Sequence, residues 1–421
     1  MEKRIPRARM VGRGIGAAGV ACALLAAAPA GAQEEASALG PEVSVRPGKG
    51  VAIEQPGAFE LRARGRMQIL EALEDAPDAP VESETIVRRA RITLDGYAFS
   101  EDLTWKLQLG FGPRDLDPDG APVLDAWVNW AAARDLELRV GLDKVPFDRQ
   151  QLTSSGDLQF VDRARVVGAF SIDRDVGISL RSDDLFGLDG RLGYALGVYG
   201  GEGRGRLAAP AGFLSVARLE VRPFGAFEDL REGDLERTPR PRLAIGASIA
   251  WNEDAIRSRG NRSDPIPEAR DLASFEGFDY LHLEADVVFK WSGLSLLAEL
   301  LWQRARGDAP GAVGAEGPVE VLPHQGWGFF VQAGQMIGPH FEVAARYGQQ
   351  ETFAGTNPAQ VEEVADAGRE LGVGASWYVH GHAVKVQVDG FRSWGVRQRG
   401  APTRGFDDAI QALRAQVQLA F

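Results

Sequence analysis

Cysteine is almost missing from this chain: Cys22 is the single one in 421 residues, and it lies in a segment read below as a removable leader. A disulfide framework and thiol chemistry are therefore excluded for the rest of the protein. Long apolar runs are missing too. After Ala32 no stretch approaches the roughly 18 consecutive apolar residues of a helical membrane span. Histidine is scarce, and none of the five stands beside a recognisable nucleophile motif. His380 and His382 are two apart but have no cysteine or acid cluster to complete a metal site. No enzymatic activity, metal or cofactor is expected on these grounds. Net positive charge is also lacking. The formal charge is -12, and setting aside residues 1–32, with five cations and Glu2, leaves the remainder near -16. Such a balance argues against a nucleic-acid partner.

The first residues carry a secretory signal. Lys3, Arg4, Arg7, Arg9 and Arg13 precede an apolar run from about Val20 to Pro29, and Ala30-Gly31-Ala32 predicts cleavage before Gln33. Residues 33–58, punctuated by Pro41, Pro47, Gly48, Gly50, Pro56 and Gly57, read as a loose periplasmic leader. From Phe59 to Phe421 the length would allow two or three soluble domains. The pattern points instead to one large sheet.

Segments of about ten residues alternate between apolar and polar, as transmembrane strands do. Phe59, Leu61, Ala63, Met67 and Ile69 share one face, against Arg62, Arg64, Arg66 and Gln68 on the other. The alternation returns at Ala90–Leu94, Leu103–Phe111, Leu124–Trp130 and Leu136–Leu142. It continues near 175–182, 190–200, 212–222, 242–251, 279–291, 294–304, 327–337, 341–349, 370–379, 383–392 and 411–421. This predicts an all-β protein: a transmembrane antiparallel β-barrel of about sixteen strands in the bacterial outer membrane, its outside in contact with lipid.

Connections alternate in length, short on the periplasmic side and long on the outer side. Short turns fall at Ser100-Glu101-Asp102, Ala132 to Asp135, Ser292-Gly293, Gly338-Pro339 and His380-Gly381-His382. Long polar connections fall near 71–84, 112–122, 143–174, 201–211, 252–277, 305–326, 350–369 and 393–409. The stretch 223–241 is the exception, an elongated periplasmic turn whose length the sequence does not explain. The last strand ends on Phe421, an aromatic terminus like the insertion signal of outer-membrane barrels. Trp130, Trp251, Trp291, Trp302, Trp327, Tyr347 and Trp377 sit at strand ends, where aromatic girdles form.

The connection 143–174 is long enough to need a reason. It contains Gly141-Leu142-Asp143-Lys144-Val145-Pro146-Phe147, Leu152-Thr153-Ser154-Ser155, Asp157, Phe160, Asp162-Arg163, Phe170, Arg174 and Gly177. With Arg88-Arg89-Ala90-Arg91 and Asp95-Gly96 upstream, this resembles the phosphate-selective porin O and P family, most strongly over 84–200. The resemblance implies a homotrimer of sixteen-stranded barrels, the third outer loop folded inward as a constriction, and lysines and arginines that draw small anions such as phosphate.

Read from the residues, the lumen face offers Arg62, Arg64, Arg66, Arg89, Arg91, Lys106 and Arg139, and the loop adds Lys144, Arg149, Arg163 and Arg165. Free, they make an electropositive wall suited to planar oxyanions. Paired with Asp95, Asp125, Glu137, Asp143, Asp148, Asp157 and Asp162, they make a neutral rigid network, and the channel is a weakly selective porin. Later strands carry Glu284, Asp286, Glu299, Glu342 and Asp389 beside Lys290, Arg346, Lys385 and Arg414, in place of a lysine cluster. A barrel hydrolase and a filled adhesion barrel are remote alternatives; about eight strands would be filled, whereas sixteen leave an aqueous channel.

Overall fold

The computed structural model describes residues 40–116, 121–204, 212–259, 261–265, 277–306, 311–314, 317–320 and 322–421. The expected signal at 1–32 and the leader up to 39 lie outside the described residues. Two strands come first, β1 (Glu42–Arg46) and β2 (Gly50–Gln55). The wall then begins with β3 (Phe59–Asp75), β4 (Glu82–Ala98), β5 (Ser100–Gly110), β6 (Val123–Ala133) and β7 (Leu136–Lys144). After an interval holding helices α1 (Arg149–Leu152) and α2 (Arg165–Phe170) come β8 (Arg174–Ser182), β9 (Leu192–Tyr199), β10 (Leu214–Val221) and β11 (Arg242–Ala255). A short hairpin, β12 (Arg257–Arg259) with β13 (Arg262–Pro265), precedes β14 (Phe278–Trp291) and β15 (Leu294–Arg306). A second, β16 (Gly311–Gly314) with β17 (Gly317–Glu320), precedes β18 (Gly326–Ile337) and β19 (Phe341–Thr352). Helix α3 (Pro358–Ala367) leads to β20 (Arg369–His382), β21 (Val384–Trp394) and β22 (Ile410–Ala420).

Setting aside β1, β2 and the two hairpins, sixteen antiparallel strands form the wall. The last closes on the first, with Val417 of β22 opposite Ile69 of β3. Closure leaves no unpaired edge in the lipid, where an unsatisfied backbone group costs several kcal/mol. Strand alternation carries an inverted pattern of burial. On β14, Glu284 and Asp286 are each 4% exposed, whereas Leu283 and Val287 are 39% and 37% exposed. The polar face is the inside of the molecule and the apolar face meets lipid.

The short turns, β1–β2 and Phe421 share one end, the periplasmic one. Phe421 exchanges both backbone hydrogen bonds with Gly65 (2.7 and 2.9 Å). Its ring lies where a side chain on residue 65 would sit, since a Cβ there would meet ring carbons at 2.6 Å. Residues 42–55 are not a loose leader: β1 and β2 form a hairpin, and β2 pairs with Phe59–Ala63 of β3, just below the point where β22 stops. The connection 71–84 is likewise shorter than its charge suggested, because β3 and β4 stay paired out to Glu74 opposite Glu82. At about 3.3 Å per residue, 17-residue strands overshoot the bilayer, and beyond it both faces meet water and lose the alternation.

Candidate functional site

The third outer connection, Val145–Asp173, folds into the lumen in two parts. Its ends are apolar: Val145, Phe147, Phe170 and Ile172 are at most 1% exposed and join inward-facing Leu214, Val216, Val288, Leu301 and Phe330 in the main hydrophobic cluster. Its middle is polar, and acids hold its main chain. Glu299 accepts from the Gln150 N–H (2.6 Å), Asp389 from Val161 (2.8 Å) and Glu370 from Arg165 (3.3 Å). Inside the loop Asp148 caps α1 by accepting from Gln151 N–H (2.8 Å).

Opposite the loop stands the wall β3–β7. Arg66 donates to Ser154 Oγ (3.0 Å) and Ser155 Oγ (2.9 Å) of the loop, and no carboxylate oxygen lies within 4 Å of its guanidinium among the described residues. The other cations expected on this wall have acid partners. Arg64 meets Asp95 at 2.5 Å, and Arg62 meets both Glu60 and Asp95. Arg91 grips Asp115 with two bonds (2.8 and 2.5 Å), and Arg89, bonded to Gln68 (3.0 Å), lies 3.8 Å from the same acid. Lys106 meets Asp125 at 2.6 Å, and Arg139 meets Asp143 at 2.6 Å while stacking over Trp127.

The expected loop cations divide three ways. Lys144 donates to the carbonyls of Leu152 (2.8 Å) and Thr153 (3.0 Å), and Arg163 to those of Gln150 and Thr153 (both 2.7 Å), so both brace the loop internally. Arg149 is fully buried between Asp286 (2.5 Å), Glu220 (3.1 Å) and Asp229 (3.2 Å). Arg165 is exposed, 3.8 Å from Glu363 of α3.

Alternation alone misses Arg88. The register between β3 and β4 shifts at Gln68/Ile69, a bulge in which Gln68 pairs with Arg89 and Ile69 with Val87. The extra residue, Arg88, then turns inward beside Arg89, is 2% exposed, and bonds Val161 O (3.2 Å) and the Asp162 carboxylate. Two successive arginines in one strand are the available signal, since one would otherwise face lipid at a cost of about 2–4 kcal/mol. Arg218 is also missed. It holds Glu284 (2.9 Å) and Asp286 (2.5 Å) and donates to Phe147 O (2.7 Å).

A cavity of about 910 Å³ lies on the periplasmic side of the loop. Arg64, Arg66, Arg91 and Lys106 line one side, with Lys290, Arg231, Arg242 and Lys49 elsewhere around it. The acids on its lining are Asp157, Glu228, Asp234 and Glu236. The later-strand acids are not on that surface: Glu284, Asp286, Glu299, Glu342, Glu370 and Asp389 are each at most 4% exposed, spent on the loop and on buried cations.

A closed sixteen-stranded barrel with a lipid-facing apolar band, a charged lumen and an outer loop folded within it is the fold of outer-membrane porins. Within that class, residues 61–202 match the family model described as Phosphate-selective porin O and P. No curated protein matches the chain. Among solved structures it is similar to Salmonella typhi OmpF in complex with daunomycin (TM-score 0.55, 13% identity, 88% of this chain and 100% of that one). It is similar too to the anion-selective porin from Comamonas acidovorans (0.55, 13%, 86% and 100%). A third is the outer membrane channel DcaP of Acinetobacter baumannii (0.50, 12%, 86% and 98%). At these identities the likeness is one of fold.

Proposed function

We propose that the chain is a passive aqueous channel favouring small anions, phosphate among them, and that it works as a homotrimer, as the family resemblance implies. One observation carries the anion preference: the buried carboxylates of β14–β21 are consumed in holding the inward loop and buried cations, while Arg66 faces the cavity with no acid within 4 Å among the described residues. An ion pair is a dipole whose field dies quickly, whereas an unpaired guanidinium acts over about a Debye length, roughly 8 Å at physiological salt. Arg66 brings its charge to the cavity lining while two neutral hydroxyls take one N–H from each terminal nitrogen, leaving the second N–H of each for an oxyanion. A single such site, flanked by the acid-paired Arg64 and Lys106, is weak enough to release its ion, as conduction requires.

A second reading, a weakly selective general porin, is favoured by the pairs Arg64–Asp95, Arg91–Asp115, Lys106–Asp125 and Arg139–Asp143, which cancel much of the wall. Reversal potentials in a potassium chloride gradient across a planar bilayer, with phosphate then titrated in, separate the two. Chloride preference, block by phosphate, and a roughly threefold fall in anion-to-cation permeability in Arg66→Gln are expected, equal to about 0.7 kcal/mol for one screened charge. A reversal potential near zero or on the cation side, unchanged in the variant, leaves only the general porin.

A further inference from the structure

The connection between β10 and β11, residues 222–241, is too long for a periplasmic turn, and the structure shows where the extra length goes. Glu232 is 6% and Asp234 2% exposed, because the connection rises into the barrel beneath the inward loop. Glu232 alone makes three bonds to that loop. Its carboxylate accepts from Gln159 N–H (2.7 Å) and from Gln150 Nε2 (2.8 Å), and its own N–H donates to Asp157 O (2.9 Å). Gln332 of β18 donates to the same carboxylate (2.9 Å), tying the junction to the wall.

The connection is itself anchored. Lys290 Nζ donates to Glu228 O (2.7 Å) and Arg231 O (2.6 Å), Asp234 accepts from Gly293 N–H (2.7 Å), and Arg237 reaches Gly338 O (3.0 Å). The other partners of Gln150–Gln159 stand on wall strands, as Arg66, Lys385 and Glu299 do, or within the loop. From the connection below come Glu232 and, to the adjoining Arg149, Asp229 (3.2 Å).

We infer that residues 222–241 are a prop that fixes the height and tilt of the constriction loop, with Glu232 as its positioning residue. The channel is thus narrowed from both mouths, by an outer loop and by a periplasmic one that meet inside. A carboxylate suits the junction because it accepts from several donors at once, which an amide or hydroxyl does less well. Three donors converge on it, so losing the carboxylate leaves buried N–H groups unpaired and the loop free to move.

Single-channel recording of the full chain with Glu232→Ala tests this. Open-channel conductance is expected to rise about twofold, with rapid flicker, while Arg240→Ala, exposed on the same connection and off the cavity lining, records as wild type. Should the first variant fail to assemble, Gln150→Ala removes one of the same bonds from the loop side and is expected to raise conductance and noise. Wild-type conductance and noise in an assembled Glu232→Ala or Gln150→Ala channel, or an equal change in Arg240→Ala, overturns the prop. The prop is judged on conductance and noise alone, whereas the anion preference is judged on the reversal potential of the wild-type and Arg66→Gln channels with the prop intact, so failure of either shows separately.

Discussion

Lys144 illustrates how position alone misleads about a cation. Its ammonium sits where the chain leaves β7 and spans to the carbonyls of Leu152 and Thr153 at the end of α1, tying the two ends of a tight bend together. Lys144→Ala is expected to lower stability by about 2 kcal/mol, the cost of stranding buried acceptors, and to leave ion preference unchanged. Denaturant melts in detergent beside bilayer recordings check both halves; a changed reversal potential with unaltered stability contradicts the assignment. At this scale the alternation made Arg64, Arg66, Arg91 and Lys106 legible as lumen residues, since period two decides the face of a strand. It could not make Arg88 legible, because the bulge breaks the period at that point. Nor could it pair Arg91 with Asp115 or Val161 N–H with Asp389: those partners are 24 and 228 residues apart, and only the closed barrel brings them together.

At the scale of elements, sixteen strands were legible because lipid on one side and water on the other impose alternation on each. Elements outside the bilayer feel no such constraint, which is why the β1–β2 hairpin and α3 read as irregular. Helix α3 did leave a signal: Asn357 caps it by accepting from Ala359 N–H (2.9 Å), and Pro358 occupies its first turn. The outer connections pack on one another as well. His324 N–H donates to Ser258 O (2.9 Å), and its carbonyl accepts from Gln303 (2.8 Å). Burial, helped by nearby Arg259, pushes its imidazole down to about 3. The unfolded chain takes up this proton near pH 6.5 and the folded one refuses it until about pH 3, so stability is full above that window and falls as pH drops through it. One such group contributes a slope of at most about 1.4 kcal/mol per pH unit. Thermal melts from pH 7 to pH 4 are expected to show a shallower fall for His324→Gln than for the wild type; parallel curves would refute the assignment.

The molecule as a whole has its core inside out, and the lumen replaces the usual apolar interior with a network of acids, amides and arginines. Aromatic rings mark both membrane levels. Trp291 and Trp377 are about half exposed near the short turns, and Trp327, Phe329, Tyr347, Trp394 and Phe406 form a chain of ring contacts near the outer mouth. The middle of the inward loop, by contrast, draws its fixings from the arc of wall that runs from β15 across the closing seam: Gln68 of β3, Ser295 of β15, Gln332 of β18, Glu342 of β19 and Gln387 of β21 all bond it.

That arrangement has a temporal meaning. Bonds between residues 159 and 342 or 161 and 389 cannot exist until the strands bearing the partners are in place, and closing such long loops is slow. The constriction is therefore the last part of the channel to be built. A barrel newly closed at Phe421 is expected to be wider for a time, until the loop seats. Refolding into a planar bilayer under continuous recording is expected to show insertion steps of high, noisy conductance that relax to the final level. Steps that arrive at the final level at once would mean the loop travels with its own half of the wall and is seated before closure.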